Sequence, residues 1–129
     1  MVNTICEFSK HNPVYITRPT PELKANVPLT LFRSSFGIGN PPSTKITRNE
    51  YNQRHALAFK MQNEAAKRCG AKILDPIPYM CDNEYCYGES HGIPLYFDDD
   101  HLSRYGSELI SALLHKPICK GFFSDIIFK

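Results

Sequence analysis

The strongest constraint on the fold is one long helical segment held between two short apolar runs. From about Arg48 to Cys69, the residues Tyr51, Ala58, Met61, Ala65 and Cys69 recur at three- and four-residue steps and form one stripe. Thr47 stands at its start with Glu50 three residues on, the pattern of a capping box. Gly70 follows the last turn, where a left-handed cap is expected. Asn12–Arg18 upstream (NPVYITR) and Ala71–Leu74 downstream read as strands, each stopped by proline. Strand, helix, strand is a βαβ unit, so the class is α/β with a short parallel sheet flanked by helices. A right-handed crossover is expected.

Other segments are less constrained. Leu29–Phe36 fits a short helix, and GIGNPPS (37–43) is a loop by composition. Thr4–His11 leads into the first strand without an element of its own. Met80–Gly92 reads as a polar loop and Ile93–Phe97 as a short extended segment. Ser103 can cap a final helix to about His115, with Leu102, Tyr105, Leu109, Ala112 and Leu113 on its apolar face. The tail, 116–129, is apolar in places without a decisive period.

The 129 residues suit one domain or part of one. A net charge of +2, scattered along the chain, argues against a nucleic-acid partner. No apolar run reaches the ~20 residues of a membrane span. Met1–Lys10 has no apolar signal core, so no targeting signal is read. Five cysteines do not make a fully stapled scaffold. Cys81 and Cys86 bracket the loop CDNEYC, where two thiols could meet in a disulfide and imply an oxidising compartment, or stay unpaired.

The densest chemistry is FDDDHLSRYG, residues 97–106. A general base for a hydroxyl needs an imidazole with one nitrogen free and a carboxylate on the other. Asp98 and His101 have a spacing that can meet this locally. Two other readings stay open: a solvated helix entry in which Asp99 and Asp100 stabilise the first turn, or a divalent-cation site at Asp98, Asp100 and His101.

ILDPIPYMCDNEYC followed by GIPLYFDDDHLSRYG resembles the end of SGNH (GDSL-like) hydrolase domains. The likeness is to the subgroup fused to membrane acyltransferases that O-acylate cell-surface sugars. It is highly specific over Leu74–Gly106 and looser back to Asn12, where VYITRPTPELKANVP looks like the family's inner strand and TRNEY like the start of its long helix. It implies a flavodoxin-like three-layer SGNH fold, here incomplete, with residues 1–115 its C-terminal portion and 116–129 a tail. It implies catalytic roles for Asp98 and His101, and it matches Cys81 and Cys86 to the family's loop cysteines. It further implies acylated or acyl-accepting carbohydrate as partner, no cofactor or metal, and a place on the periplasmic face of the inner membrane as part of a larger parent. The missing N-terminal half or a membrane acyltransferase domain would be protein partners.

The departure from the family is the nucleophile, because no Gly-Asp-Ser occurs. Ser9, Ser34 and Ser35 lack its flanking residues, and Asn26 and Asn40 are poor oxyanion donors. The chain then reads as part of an esterase or acyltransferase that is inactive alone, or as a non-catalytic remnant serving as a structural or carbohydrate-binding module. His11, His55, His91 and His115 are expected at surfaces or helix ends. Cys81, Cys86 and His91 form only a weak zinc set. Arg18 is expected to solvate a loop or reach a substrate, and Tyr51, Tyr79, Tyr85, Tyr87 and Tyr96 to fill the core or line a sugar site.

Overall fold

A computed structural model describes residues 1–115. The elements are α1 (Val2–Ser9), β1 (Tyr15–Thr17), α2 (Val27–Ser35), β2 (Lys45–Thr47), α3 (Arg48–Arg54), α4 (Ala56–Cys69), β3 (Lys72–Leu74), α5 (Ile77–Met80), β4 (Tyr85–Tyr87), β5 (Glu89–Ser90), β6 (Ile93–Pro94) and α6 (Arg104–Ile110). Helical residues resume at 112–115. The expected tail, 116–129, lies outside the described residues. The architecture is mixed α/β, with a short parallel sheet and flanking helices. The chain divides into two units, Met1–Glu22 with Lys45–Tyr87, and Leu23–Thr44 with the chain from Gly88 onward.

In the first unit β1 and β3 pair in parallel, Tyr15 opposite Lys72, Ile16 opposite Ile73 and Thr17 opposite Leu74. Parallel neighbours need a long crossover. Here it includes β2 as well as helices. The capping box forms in full: Thr47 Oγ1 accepts from Glu50 N at 3.1 Å, and Thr47 N donates to Glu50 Oε2 at 2.8 Å. Gly70 closes α4 at φ 70°, in the left-handed region that glycine enters without a steric penalty.

The single helix expected over Arg48–Cys69 is interrupted at His55, where φ −100° and ψ 9° unwind one residue. The backbone bonds continue through it, from His55 N to Tyr51 O and from Phe59 N to His55 O. His55 is at a helix end, as expected, yet it is buried rather than on the surface. Its ring lies 4.9 Å from Tyr51 and 6.1 Å from Phe59, and burial pushes its pKa down.

Val2, Ala65 and Ala71 form a buried cluster, with Ile5, Cys6, Val14, Ile16, Met61 and Cys69 packed on it. This explains α1, a helix the sequence left without an element. Its N-terminus has no side-chain cap and no acidic first turn. The helix therefore depends on burying the stripe Val2, Ile5, Cys6 against α4. A disulfide from Cys6 to Cys69 ties the two helices. A second joins Cys81 to Cys86, beside the antiparallel pair β2–β4 in which Ile46 faces Cys86. The expected polar loop is thus largely structured. Asp82 holds its turn by accepting from Glu84 N and Tyr85 N, both at 2.7 Å.

In the second unit α2 begins slightly earlier than expected, because the Asn26 side chain caps it by accepting from Leu29 N at 2.9 Å. Strands β5 and β6 form a tight hairpin through His91 (φ 53°) and Gly92 (φ 78°). Two central residues at positive φ match the right-handed twist of the flanking strands. Extended structure in Ile93–Phe97 is confined to β6 and a bridge from Tyr96 to Leu102. Leu23, Val27, Leu95 and Tyr96 are buried in this unit.

The Cys6–Cys69 bridge spans 63 residues of sequence and Cys81–Cys86 only 5. Loop closure weights the long bridge more heavily, at about 3 kcal/mol or above. Replacing Cys6 and Cys69 together by serine should lower the denaturant-unfolding free energy by that order, and by more than the matching Cys81/Cys86 replacement.

Candidate active site

The DDDH segment is a closed turn. Its ends are joined by Phe97 N donating to His101 O at 2.9 Å and by the Tyr96–Leu102 bridge. Inside it, Asp98 Oδ1 accepts from Asp100 N at 3.0 Å and from His101 N at 2.7 Å. An aspartate that binds backbone amides two and three residues ahead makes a self-contained turn. The other carboxylate oxygen, Oδ2, lies 2.8 Å from His101 Nδ1. The same carboxylate therefore shapes the backbone and sets the ring.

The turn is anchored on both sides. Asp98 O accepts from Val27 N at 2.9 Å and Asp99 O from Leu23 N at 2.8 Å, which holds it against the start of α2. On the other side Ser103 caps α6 by accepting from Gly106 N at 3.1 Å, while its hydroxyl donates to Pro94 O at 2.8 Å. Ser103 N also donates to Leu95 O at 2.9 Å. Leu95 O comes so close to α6 that a Cβ on Gly106 would lie 2.1 Å from it. The glycine of the motif is there for this contact.

Asp100 Oδ1 is also 2.8 Å from His101 Nδ1. Two carboxylates facing one ring nitrogen make it the protonated one, and leave Nε2 as the nitrogen with a lone pair. The His101 side chain is 67% exposed and Asp98's is 27%. Phe97 stacks on the imidazole at 5.4 Å. Amides of His101 and Asp100 hold the Asp98 pKa down to about 2, with the His101 ring adding to them. His101 is raised, first by its hydrogen bond to Asp98 and then by the charges of Asp100 and Asp98.

The donors of Asp98, Asp100 and His101 lie within 4.8 Å of one another, as a cation site would require. Holding Nδ1 as a proton donor to both carboxylates removes its lone pair, so the set favours hydrogen bonding. The helix-entry reading is also modified. Asp98 precedes the cap and spends Oδ1 on amides of its own turn, while Asp99 and Asp100 are exposed.

The other candidates are placed elsewhere. Ser34 and Ser35 donate back to Thr30 O and Leu31 O within α2, so neither hydroxyl is poised as a nucleophile. Ser9 ends α1 with its Oγ buried. Asn26 is occupied as a helix cap and Asn40 is exposed in its loop. The Cys81–Cys86 disulfide removes both thiolates of the weak zinc set. His11, His91 and His115 are exposed. Arg18 does not solvate a loop: its guanidinium is fastened to α4 through Gln62 Oε1 at 2.9 Å and Asn63 Oδ1 at 2.6 Å. Tyr51 and Tyr96 are buried, Tyr85 and Tyr87 half-buried and Tyr79 exposed. Phe97 as the ring's stacking partner and the amides of Leu23 and Val27 as the turn's backing were not foreseen, since the latter contacts are distant in sequence.

The pH dependence follows from the signs. Asp98 is lowered in the folded chain, so its contribution is present above the ordinary carboxylate value and fades as pH falls toward about 2. His101 is raised, so its contribution is present at low pH and is lost as pH climbs through its folded value. Histidine NMR titration should give His101 a midpoint above that of an exposed histidine, and Asp98→Asn should bring it down. Gly106→Ala should destabilise the chain by about 2 kcal/mol or more, the cost of forcing a methyl into an occupied contact, as read by thermal or denaturant unfolding.

No curated protein sequence matches the chain. In structure it is similar to the periplasmic domain of a lipopolysaccharide acetyltransferase from Salmonella ser. Paratyphi A, with a TM-score of 0.56 and 19% sequence identity. The match covers 92% of this chain and 46% of that one, so the chain spans under half the length of the domain it resembles. Among the described residues no helix is long and apolar enough to cross a membrane. Residues 1–116 match the family described as the SGNH domain (fused to AT3 domains), and the chain belongs to that family.

Proposed function

We propose that this chain is the C-terminal portion of an SGNH domain and carries the Asp–His half of a serine-type esterase or O-acyltransferase site. The acyl group, acetyl in the simplest case, is transferred to or removed from a surface polysaccharide. The single observation that carries the reading is the 2.8 Å contact between Asp98 Oδ2 and His101 Nδ1, which leaves Nε2 as the free base. Membership of a family fused to AT3 domains supports acyl chemistry, and the fold of a lipopolysaccharide acetyltransferase's periplasmic domain supports a polysaccharide setting. The paired Cys6–Cys69 and Cys81–Cys86 support a location outside the cytoplasm, where disulfides persist.

In this mechanism a serine hydroxyl attacks the acyl carbonyl and His101 Nε2 takes its proton. Asp98 holds the ring's tautomer and stabilises the imidazolium. The proton then passes to the departing alkoxide as the acyl-serine forms. A sugar hydroxyl or water, deprotonated by the same nitrogen, then attacks the acyl-serine, and the serine oxygen leaves with that proton as the acyl group is released. The serine and the oxyanion donors would come from a segment this sequence does not contain, because it has no Gly-Asp-Ser. The locked hydroxyls of Ser34 and Ser35 give weight to a second reading, a non-catalytic structural or carbohydrate-binding remnant.

The two readings separate in an SGNH domain assembled with a Gly-Asp-Ser segment and assayed on an aryl acetate. His101→Ala should reduce turnover by about 10³-fold or more, since the triad acts as a unit. Asp98→Asn should lower turnover while substrate affinity is kept. Turnover indifferent to His101→Ala sinks the catalytic assignment and favours the remnant.

A further inference from the structure

The first unit contains a polar cavity of about 190 Å³ that the chemistry above does not use. It is lined by Arg18, Arg48, Tyr51, Asn52, Asn63 and Asp75, among others. Arg18 directly follows β1 and Asp75 directly follows β3, so the cavity draws on the carboxyl ends of both parallel strands. In open α/β sheets that is the side where ligands bind.

The cavity is preorganised and positively charged. Arg18 is held by Gln62 Oε1, Asn63 Oδ1 and Phe59 O, all neutral acceptors, with its guanidinium 4.7 Å from the Phe59 ring. Arg48 has its Nη1 buried with no hydrogen-bond acceptor. Buried donors left in this state are rare and call for an explanation. The Tyr51 hydroxyl is already committed to Pro19 O, and Asp75 Oδ1 to Ile77 N. Two guanidiniums against one carboxylate leave one positive charge in excess.

We infer that this cavity binds the carboxylate of an acidic sugar, with Arg48 as the principal cation. A planar guanidinium matches a carboxylate's two oxygens. A singly charged ligand balances the excess charge, whereas a phosphate dianion overshoots it against Asp75. Because Asn63 Oδ1 accepts from Arg18, its amide N–H groups remain to donate to sugar hydroxyls, as can those of Asn52. The volume takes the carboxylate end of such a sugar and not a large acyl chain. This inference concerns the first unit alone and stands whether or not Asp98 and His101 are catalytic.

The test is binding, by NMR titration of the full chain with glucuronate, glucose and inorganic phosphate. Glucuronate should bind saturably and shift the Asn52 and Asn63 side-chain amides, and it should bind tighter than glucose or phosphate. Arg48→Gln should weaken glucuronate binding about tenfold or more, the worth of a charge-assisted hydrogen bond. Asp75→Asn keeps the acceptor for Ile77 N but removes the opposing charge, and should tighten binding severalfold; it decides the matter if Arg48→Gln does not fold. The inference is overturned by no saturable binding, by glucose or phosphate binding as well as glucuronate, by a folded Arg48→Gln with unchanged affinity, or by an Asp75→Asn no tighter than the parent.

Discussion

The Asp98 carboxylate is the group on which the rest of the second unit's chemistry depends. It accepts two backbone amides and faces the imidazole, so one side chain closes the turn and aims the base. In water each of those bonds would be weak and transient. Here the turn is already pinned by its own ends and by the carbonyls of Asp98 and Asp99, which engage the start of α2. Little ordering entropy is left to lose, and the local bonds persist although His101 is open to solvent.

That pinning depends on a close approach of main chain to main chain. Leu95 O accepts from Ser103 N and lies against Gly106, so α6 starts at a fixed height over β6. Any side chain at 106 would lift the helix and with it the residues that follow His101. The apolar residues Leu95 and Tyr96 are buried while their neighbour Phe97 is exposed on the imidazole. The change from burial to exposure between Tyr96 and Phe97 thus places core on one side and the ring's stacking partner on the other.

The first unit is held together differently. Its parallel sheet is only two short strands, too little to be stable by itself. Burial of α1 against α4 and the Cys6–Cys69 bridge supply what the sheet lacks. Ion pairs play a small part, since those on α1 and α4 are exposed. The polar bonds that organise the unit are instead partly buried ones, such as Gln62 to Thr17 O and Tyr51 to Pro19 O, which tie the helices to the exit of β1.

What the sequence determined by itself was local. The capping box at Thr47 and Glu50, the glycine stop at Gly70, the Ser103 cap and the Asp98–His101 turn all act over three or four residues, so their patterns survive in the letters. What the tertiary structure decided were the features with no local driving force. Helix α1 has no side-chain cap and forms because its apolar stripe is buried; strands β2 and β4 are too short to show a period and form by pairing with each other across the chain. The break at His55, the clamping of Arg18 to α4 and the choice of Cys6 as partner for Cys69 likewise depend on residues far away in the chain. Short-range hydrogen bonds can be read from spacing, whereas burial and pairing at long range are settled only when the whole chain has packed.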